Sequence, residues 1–265
     1  MKSFIDELDL PKDFLFQIIS LFVSILIIHT IYLLFVDPAA AKEVAIAIDQ
    51  NKAPNRTLAV VLKDFEQEAC IILFCWALSM IFIKWKAVST QANFIKVDFL
   101  ANSADSNIDL SKAKLLRTEV DQWLIDSKNN NLIASSLWSG LNSFVVSNDL
   151  SDAKKSAHTV CDNEASRIES ELSMIRYIIW AIPSIGFIGT VRGIGGALSQ
   201  AHIAVQGDIA TMTASLGIAF NSTFVALAVS IFLMFFLHQL QLLQDRLIIN
   251  IHGYCDKKLL SNLVI

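Results

Sequence analysis

Charged side chains are absent from long parts of this chain. Its 265 residues include 25 acidic and 21 basic ones, so that 17% are charged, against about 25% in ordinary soluble domains. Five runs contain no Asp, Glu, Lys or Arg at all, namely Phe14–Val36, Ala69–Ile83, Tyr177–Val191, Gly193–Gly207 and Ile209–Gln244. This division into apolar and charged parts argues against a soluble globular domain and against a disordered chain.

Cysteine is also scarce, and the signatures of catalysis are missing. Cys70 and Cys75 lie in an apolar run while Cys161 and Cys255 are isolated, so we expect packing residues rather than a disulfide framework or a zinc site. No Walker loop, Gly-x-Ser-x-Gly elbow or His-Glu-x-x-His motif is present. We therefore predict that the protein is not an enzyme, holds no metal or cofactor, and has no nucleic-acid partner.

The apolar runs predict four membrane-spanning helices, because about 20 apolar residues cross a bilayer. Lys84, Trp85 and Lys86 anchor the second span at the interface, and the third contains Arg192. The acidic residues before the first span predict a retained anchor rather than a cleaved signal peptide. The predicted spans are residues 14–36, 69–86, 176–198 and 211–241.

Basic residues set the orientation of these spans. Residues 84–176 carry eleven Lys and Arg, whereas segment 37–68 carries four and loop 199–210 carries none. Because basic residues stay on the cytoplasmic side, we predict that 37–68 and 199–210 are periplasmic. The predicted cytoplasmic parts are the N-terminus 1–13, the domain 87–175 and the tail 242–265.

The spacing of apolar residues predicts that the cytoplasmic domain is helical. Residues 111–127 and 132–145 each place their apolar side chains on one face, and a longer pattern beginning at residue 150 runs into the third span without Gly or Pro before Pro183. The sequence thus predicts an all-α integral membrane protein whose third and fourth spans extend into a helical cytoplasmic region.

Spans three and four carry stripes of small residues. In the third span these are Gly186, Gly189, Gly193 and Gly196, with Thr190 at their edge; in the fourth they are Ala219, Thr223, Ala226 and Ser230. Such stripes let helices pack closely, or line a narrow and slightly polar path. For His29, the one ionisable side chain of the first span, a helix–helix hydrogen bond is favoured over proton relay.

Two segments resemble a known family. Residues 186–194 read Gly-Phe-Ile-Gly-Thr-Val-Arg-Gly-Ile, which is similar to the Gly-x-x-Gly-Thr-Val-x-Gly-Ile pattern in the third span of the MotA/TolQ/ExbB family of ion-driven motor subunits. Residues 216–229 resemble that family's fourth-span motif, and the four-span layout is similar to the MotA branch.

The resemblance implies a mechanism and partners. Five copies would form a homopentamer in the bacterial inner membrane, around the single-span helices of two copies of a MotB/ExbD/TolR-like subunit. That subunit's membrane aspartate would bind the transported H⁺ or Na⁺, and ion flow would become rotation or mechanical work. Thr190 and Thr223 would flank the aspartate, Pro183 matches the third-span proline, and Ala219, Ala226 and Ser230 would complete the pore lining, while the four glycines would pack helices.

Other functions and departures from the family pattern stay open. A passive channel or transporter and a non-conducting scaffold are the alternatives, and the pathway could be a flagellar stator, TonB/Tol-type energisation, gliding or Zorya-like phage defence. The fourth span has no proline. Arg192 stands where the family has an uncharged residue; at about 160° from Thr190, we expect it to snorkel or pair with a neighbour such as Asp208. The Asn221 amide is expected to bond between helices.

Overall fold

The computed structural model describes residues 12–49, 55–95, 108–126, 131–207 and 209–264. These residues form helices and short connections, with one isolated bridge between Ile108 and Leu263. Four helical stretches are long and apolar enough to cross a membrane: Phe14–Ala47, Phe65–Phe94, Leu150–Ser199 and Ala210–Leu260. The predicted all-α fold with four spanning helices is therefore confirmed for the described residues.

The helices are numbered in chain order. They are α1 (Lys12–Ile31), α2 (Asp37–Asp49), α3 (Leu58–Leu62), α4 (Phe65–Phe94), α5 (Leu110–Asp126), α6 (Leu132–Ser147), α7 (Leu150–Glu171), α8 (Ser173–Ser199), α9 (Ala201–Val205) and α10 (Ala210–Tyr254). Two π-helical stretches, Tyr32–Val36 and Cys255–Leu260, follow α1 and α10.

The first apolar helix does not stop at Asp37 and Pro38, where the sequence pattern ends the span. The Asp37 N–H bonds to the Tyr32 carbonyl, five residues back, and α2 continues directly from Asp37. A π-helical turn rearranges the backbone bonds immediately before Pro38, which has no N–H to donate and is tolerated in the first turn of a helix. The helical chain thus extends into the region expected to be a periplasmic segment.

The chain divides into two compact units. The first unit contains the described residues up to Phe82 together with Met174–Leu237, and the second contains Ile83–Ser173 and the residues from His238 onward. In the first unit, the Trp76 indole of α4 donates to the Gln17 carbonyl of α1 at 2.9 Å. The Cys70 thiol of α4 donates to the Ile182 carbonyl of α8 at 3.6 Å.

The second unit has its own apolar core, centred on α6. The Asn131 side chain caps α6 by accepting from the Ala134 N–H at 3.2 Å, and the buried face of the helix packs against α5 and α7. The fully buried side chains of this face are Ile133, Leu137, Leu141 and Phe144. The spacing of apolar residues by three or four positions over 132–145 predicted this face.

Truncating Phe144 should destabilise the second unit. Phe144 is 0% exposed, and replacing a buried Phe by Ala costs about 3–5 kcal/mol. Val146, two residues later in α6, is 79% exposed, so we expect Val146→Ala to change stability by less than about 0.5 kcal/mol. Thermal unfolding of both purified variants measures the difference; equal melting temperatures would mean that α6 does not organise a core.

Candidate functional site

The two small-residue stripes contact each other inside the first unit. A Cβ atom built on each of the four stripe glycines of α8 would meet α10: at Gly186 the nearest atom is Ala226 Cβ, at Gly189 it is Ser222 Cβ, at Gly193 it is Ala219 N, and at Gly196 it is Ser215 Oγ. Partner numbers fall as glycine numbers rise, so the two helices are antiparallel. The four glycines therefore lie in the contact between α8 and α10, and their lack of side chains lets the two helices approach closely.

Replacing glycine by alanine in α8 should affect stability differently inside and outside this contact. A Cβ at Gly193 would lie 2.6 Å from Ala219 N and 2.8 Å from the Ser215 carbonyl oxygen, and backbone atoms cannot rotate away. We expect Gly193→Ala to destabilise the chain by about 1–3 kcal/mol. A Cβ at Gly195 would meet nothing within 4 Å, so Gly195→Ala should be neutral or slightly stabilising through helix propensity. Thermal shifts of the two variants test this; equal losses would contradict the packing.

Thr190 and Thr223 meet across the α8–α10 contact. Their hydroxyl groups form a short hydrogen bond with each other. Thr190 Oγ1 also lies 3.2 Å from the carbonyl oxygens of Gly186 and Ala219, and Thr223 Oγ1 lies 3.2 Å from the Gly186 oxygen. Each hydroxyl has one proton to donate, so two protons are shared among more acceptors than they can serve at once. This threonine pair can therefore reorient its donors toward an additional acceptor.

Proline and cysteine mark the adjacent part of α8. Pro183 lies inside the helix, where its ring removes a backbone donor and disturbs the carbonyl four residues earlier. A different carbonyl, that of Ile182 next to the proline, accepts from the buried Cys70 thiol. Cys70 is thus more than a space-filling residue, and no spacing in the sequence indicates this bond.

The remaining predicted pore residues lie on the buried side of α10. Ala219 and Ala226 are each 1% exposed and face the glycine stripe. Ser230 is 6% exposed, and its hydroxyl has no hydrogen-bond partner among the described residues. Within one chain, Ala219 and Ala226 pack against α8 rather than line an open pore. An ion path beside them would require α8 and α10 to face another molecule together.

Arg192 is paired with acidic residues at the start of α4. Its guanidinium contacts both carboxylate oxygens of Glu66, each at 2.7 Å, and lies 3.8 Å from Asp64 Oδ1. Glu66 is 4% exposed. The expectation that Arg192 pairs with a neighbour is met by this partner, whereas the suggested Asp208 lies outside the described residues. We call Asp64, Glu66, Gln67 and Arg192 the Arg192 cluster.

This cluster places the Glu66 side chain against the glycine stripe of α8. A Cβ at Gly189, the residue before Thr190, would lie 3.2 Å from Glu66 Cγ as well as against Ser222. The charge-free runs concealed this approach, because Glu66 precedes the run in which the second span was predicted. The only sequence signal is the pair of acidic residues, Glu66 and Glu68, one turn before that run.

His29 bonds between helices, as favoured from the sequence. Its Nδ1 lies 2.7 Å from Glu68 Oε1, and the Glu68 side chain is 16% exposed. Asn221 is half-buried in α10, and the hydrogen bond expected between its amide and another helix stays a prediction. No group of three or more His, Cys, Asp or Glu suited to a metal ion occurs in the part of the chain that the structure describes.

The outward face of α8 is apolar and exposed in the single chain. Its most exposed large side chains are Tyr177, Trp180, Phe187, Ile188, Val191 and Leu198. Apolar patches of this extent mark contact with lipid or with protein. The arrangement in the first unit is therefore a spanning helix whose inner face carries the glycines and whose outer face suits hydrocarbon or another subunit.

Comparison with protein families finds a match for part of the chain. Residues 128–252, which include α6 to α9 and most of α10, match the MotA/TolQ/ExbB proton channel family. Neither a curated protein nor a solved structure matches this chain at a significant level.

Proposed function

We propose, from the match of residues 128–252 to the MotA/TolQ/ExbB proton channel family, that this chain is the larger membrane subunit of an ion-driven motor. Five copies surround the single-span helices of two copies of a smaller partner, whose membrane aspartate takes up and releases H⁺ or Na⁺. The complex lies in the inner membrane with both termini of this chain in the cytoplasm. Ion passage becomes rotation or other mechanical work.

The observation that supports this proposal is the threonine pair on two helices without acidic side chains. Neither α8 nor the part of α10 before Asp245 contains Asp or Glu, so the ion-binding carboxylate beside Thr190 and Thr223 is supplied by another chain. A carboxylate in an apolar site needs hydrogen-bond donors to become charged. Two hydroxyls whose protons can be redirected supply such donors.

The chain itself performs no bond-making chemistry in this proposal and needs no cofactor. Thr190 and Thr223 donate hydrogen bonds, Pro183 disturbs the backbone bonds of α8 beside them, and the glycines keep α8 and α10 in contact. Ala219, Ala226 and Ser230 continue the same small face. The pathway that the motor drives is set by the partner's other domain, and flagellar rotation, TonB/Tol-type energisation, gliding and phage defence are all compatible with it.

A second candidate is a transporter that works without a partner. One observation favours it, namely that Glu66 lies within the first unit, packed against Gly189 and bonded to Arg192. Intramembrane carboxylates commonly mark ion pathways. The bidentate bond to Arg192 fixes the position of the Glu66 side chain, however, which suits a structural pair better than a group that binds and releases an ion.

Purification with a partner distinguishes these candidates. The partner is sought in neighbouring genes as a single-span protein with an aspartate early in its span. The motor proposal predicts that the two chains purify together and that the mass of the complex gives five copies to two. A monomer, or an assembly that never binds a single-span chain, would contradict the motor and leave the partner-free transporter.

A further inference from the structure

Two buried oxygen atoms at the start of α4 lack hydrogen-bond donors. Asp64 Oδ2 and Gln67 Oε1 have no partner among the described residues, although Gln67 is 0% exposed and the Asp64 side chain is 11% exposed. The rest of each side chain is placed: Gln67 Nε2 donates to the Val61 carbonyl at 3.1 Å, and Asp64 Oδ1 faces Arg192. Buried acceptors without donors are rare, because each loses its bonds to water without replacement.

The carboxyl group of Asp64 does not act as an ordinary helix cap. A capping aspartate accepts from the N–H groups of the first turn through its side chain. The Asp64 main-chain carbonyl accepts from the N–H groups of Gln67 and Glu68 at 3.1 and 3.2 Å, as at an ordinary helix start, but Asp64 Oδ2 accepts from no N–H group of the described residues. The carboxyl group instead interacts with the Gln67 side chain.

The short ion-pair contacts of Arg192 go to Glu66 rather than to Asp64. Arg192 forms its two short contacts with Glu66 and only a 3.8 Å contact with Asp64. The charged groups that act on Asp64 are Lys63, Arg192 and Glu66. The titratable side chain of Tyr32, in the π-helical stretch after α1, also interacts electrostatically with Asp64. Burial raises the pKa of the Asp64 carboxyl above its usual value, with Lys63, Arg192 and the Gln67 amide opposing the shift and Glu66 adding to it.

We propose that Asp64 and Gln67 form a proton-binding site, in which Asp64 Oδ2 holds one H⁺ and the Gln67 carboxamide supplies the neighbouring acceptor. A proton converts Oδ2 from an acceptor into a donor, which is what two unpartnered oxygens require. Two oxygens are too few for a hard metal cation, since such ions take about six oxygen ligands. The site belongs to this chain alone and goes beyond the proposed function, in which the partner's aspartate binds the ion.

The proton makes the stability of the full chain depend on pH in a defined direction. The folded-state pKa of Asp64 is raised, so the folded chain binds more protons than the unfolded chain between the two pKa values. The contribution of Asp64 to stability is therefore fully present below its unfolded-state pKa, and is lost as the pH rises through its folded-state pKa. Asp64→Asn keeps the shape of a protonated carboxyl and should remove this part of the pH dependence.

Thermal unfolding of the full chain without a partner, from about pH 4 to about pH 8, measures the effect. As the pH rises over this range, we expect the melting temperature of the wild type to fall by about 3 °C or more relative to that of Asp64→Asn. Asp109→Asn is the matched control, because Asp109 is fully exposed and the backbone hydrogen bond from Lys112 lowers its pKa. Its contribution has the opposite sign, being present at high pH and lost on acidification. Parallel curves for the wild type and Asp64→Asn would overturn the site.

Infrared spectroscopy tests the proton without relying on a variant. With the aspartate carboxyl carbons isotopically labelled, the wild type should keep a label-sensitive stretch of a protonated carboxyl at about pH 6, where exposed aspartates are ionised. Where Asp64→Asn folds, that band should be missing from it. Absence of the band from the wild type would overturn the proposal. A melting temperature that rises with Na⁺ but not with K⁺, in the wild type and not in Asp64→Asn, would assign a metal cation instead and overturn it equally.

Discussion

Arg192→Met is expected to destabilise the chain by about 3 kcal/mol, because it leaves the Glu66 carboxylate buried without its partner. Glu66 is 4% exposed and receives two 2.7 Å contacts from the guanidinium. Neutralising both partners, in Arg192→Met with Glu66→Gln, should recover most of the loss, since no unpaired charge then remains. Thermal unfolding of the single and double variants measures this recovery.

A surface pair supplies the matched control. Arg167 is 61% exposed, compared with 52% for Arg192, and its partners Glu164 and Glu171 are 23% and 25% exposed. Exposed ion pairs contribute about 0–1 kcal/mol, so Arg167→Met should shift stability by no more than that. The two arginines thus differ mainly in the burial of the carboxylates they contact. Equal losses for both variants would mean that Glu66 is adequately hydrated without Arg192.

Replacing Thr190 and Thr223 together by valine should reduce ion-coupled activity at least tenfold while the complex still assembles. Valine has the shape of threonine but cannot donate a hydrogen bond, and a hydrogen bond to a charged group contributes about 1.5–3 kcal/mol, which corresponds to about 10–100-fold. Serine at both positions keeps the hydroxyls and should retain activity. The measurement is ion flux or motor output of the complex with its partner.

Thr213→Val tests whether any lost hydroxyl on α10 has this effect. Thr213 is exposed, and its hydroxyl bonds to the carbonyls of Ile209 and Ala210 in the chain just before and at the start of its own helix. We expect its replacement to leave flux unchanged. Full activity in the Thr190 and Thr223 double variant, or equal loss in Thr213→Val, would remove the threonine pair from the ion path.

Much of the architecture could be predicted because it depends on local periodicity. The pattern over 111–127 gave α5 (Leu110–Asp126), the pattern over 132–145 gave α6 (Leu132–Ser147), and the charge-free runs gave four spanning helices. Helix ends were less predictable. The first span was predicted to end at residue 36, but a π-helical turn at Tyr32–Val36 leads directly into α2.

The candidate site was only partly predictable, because its contacts join distant segments. The glycine spacing indicated that α8 has a face without side chains, and the two threonines indicated its polar edge. The bond between Arg192 and Glu66 joins residues 126 positions apart, and no helical periodicity relates them. The same holds for the Cys70 bond to Ile182, which forms only when α4 packs beside the backbone around Pro183.

Ion flux into vesicles tests the central claim that the ion path is shared between this chain and a single-span partner. Flux of H⁺ or Na⁺ is expected only when both chains are reconstituted together, and it should be lost when Thr190 and Thr223 are valine. Flux from this chain alone, unchanged by addition of the partner, would contradict a shared path and assign the ion path to this chain.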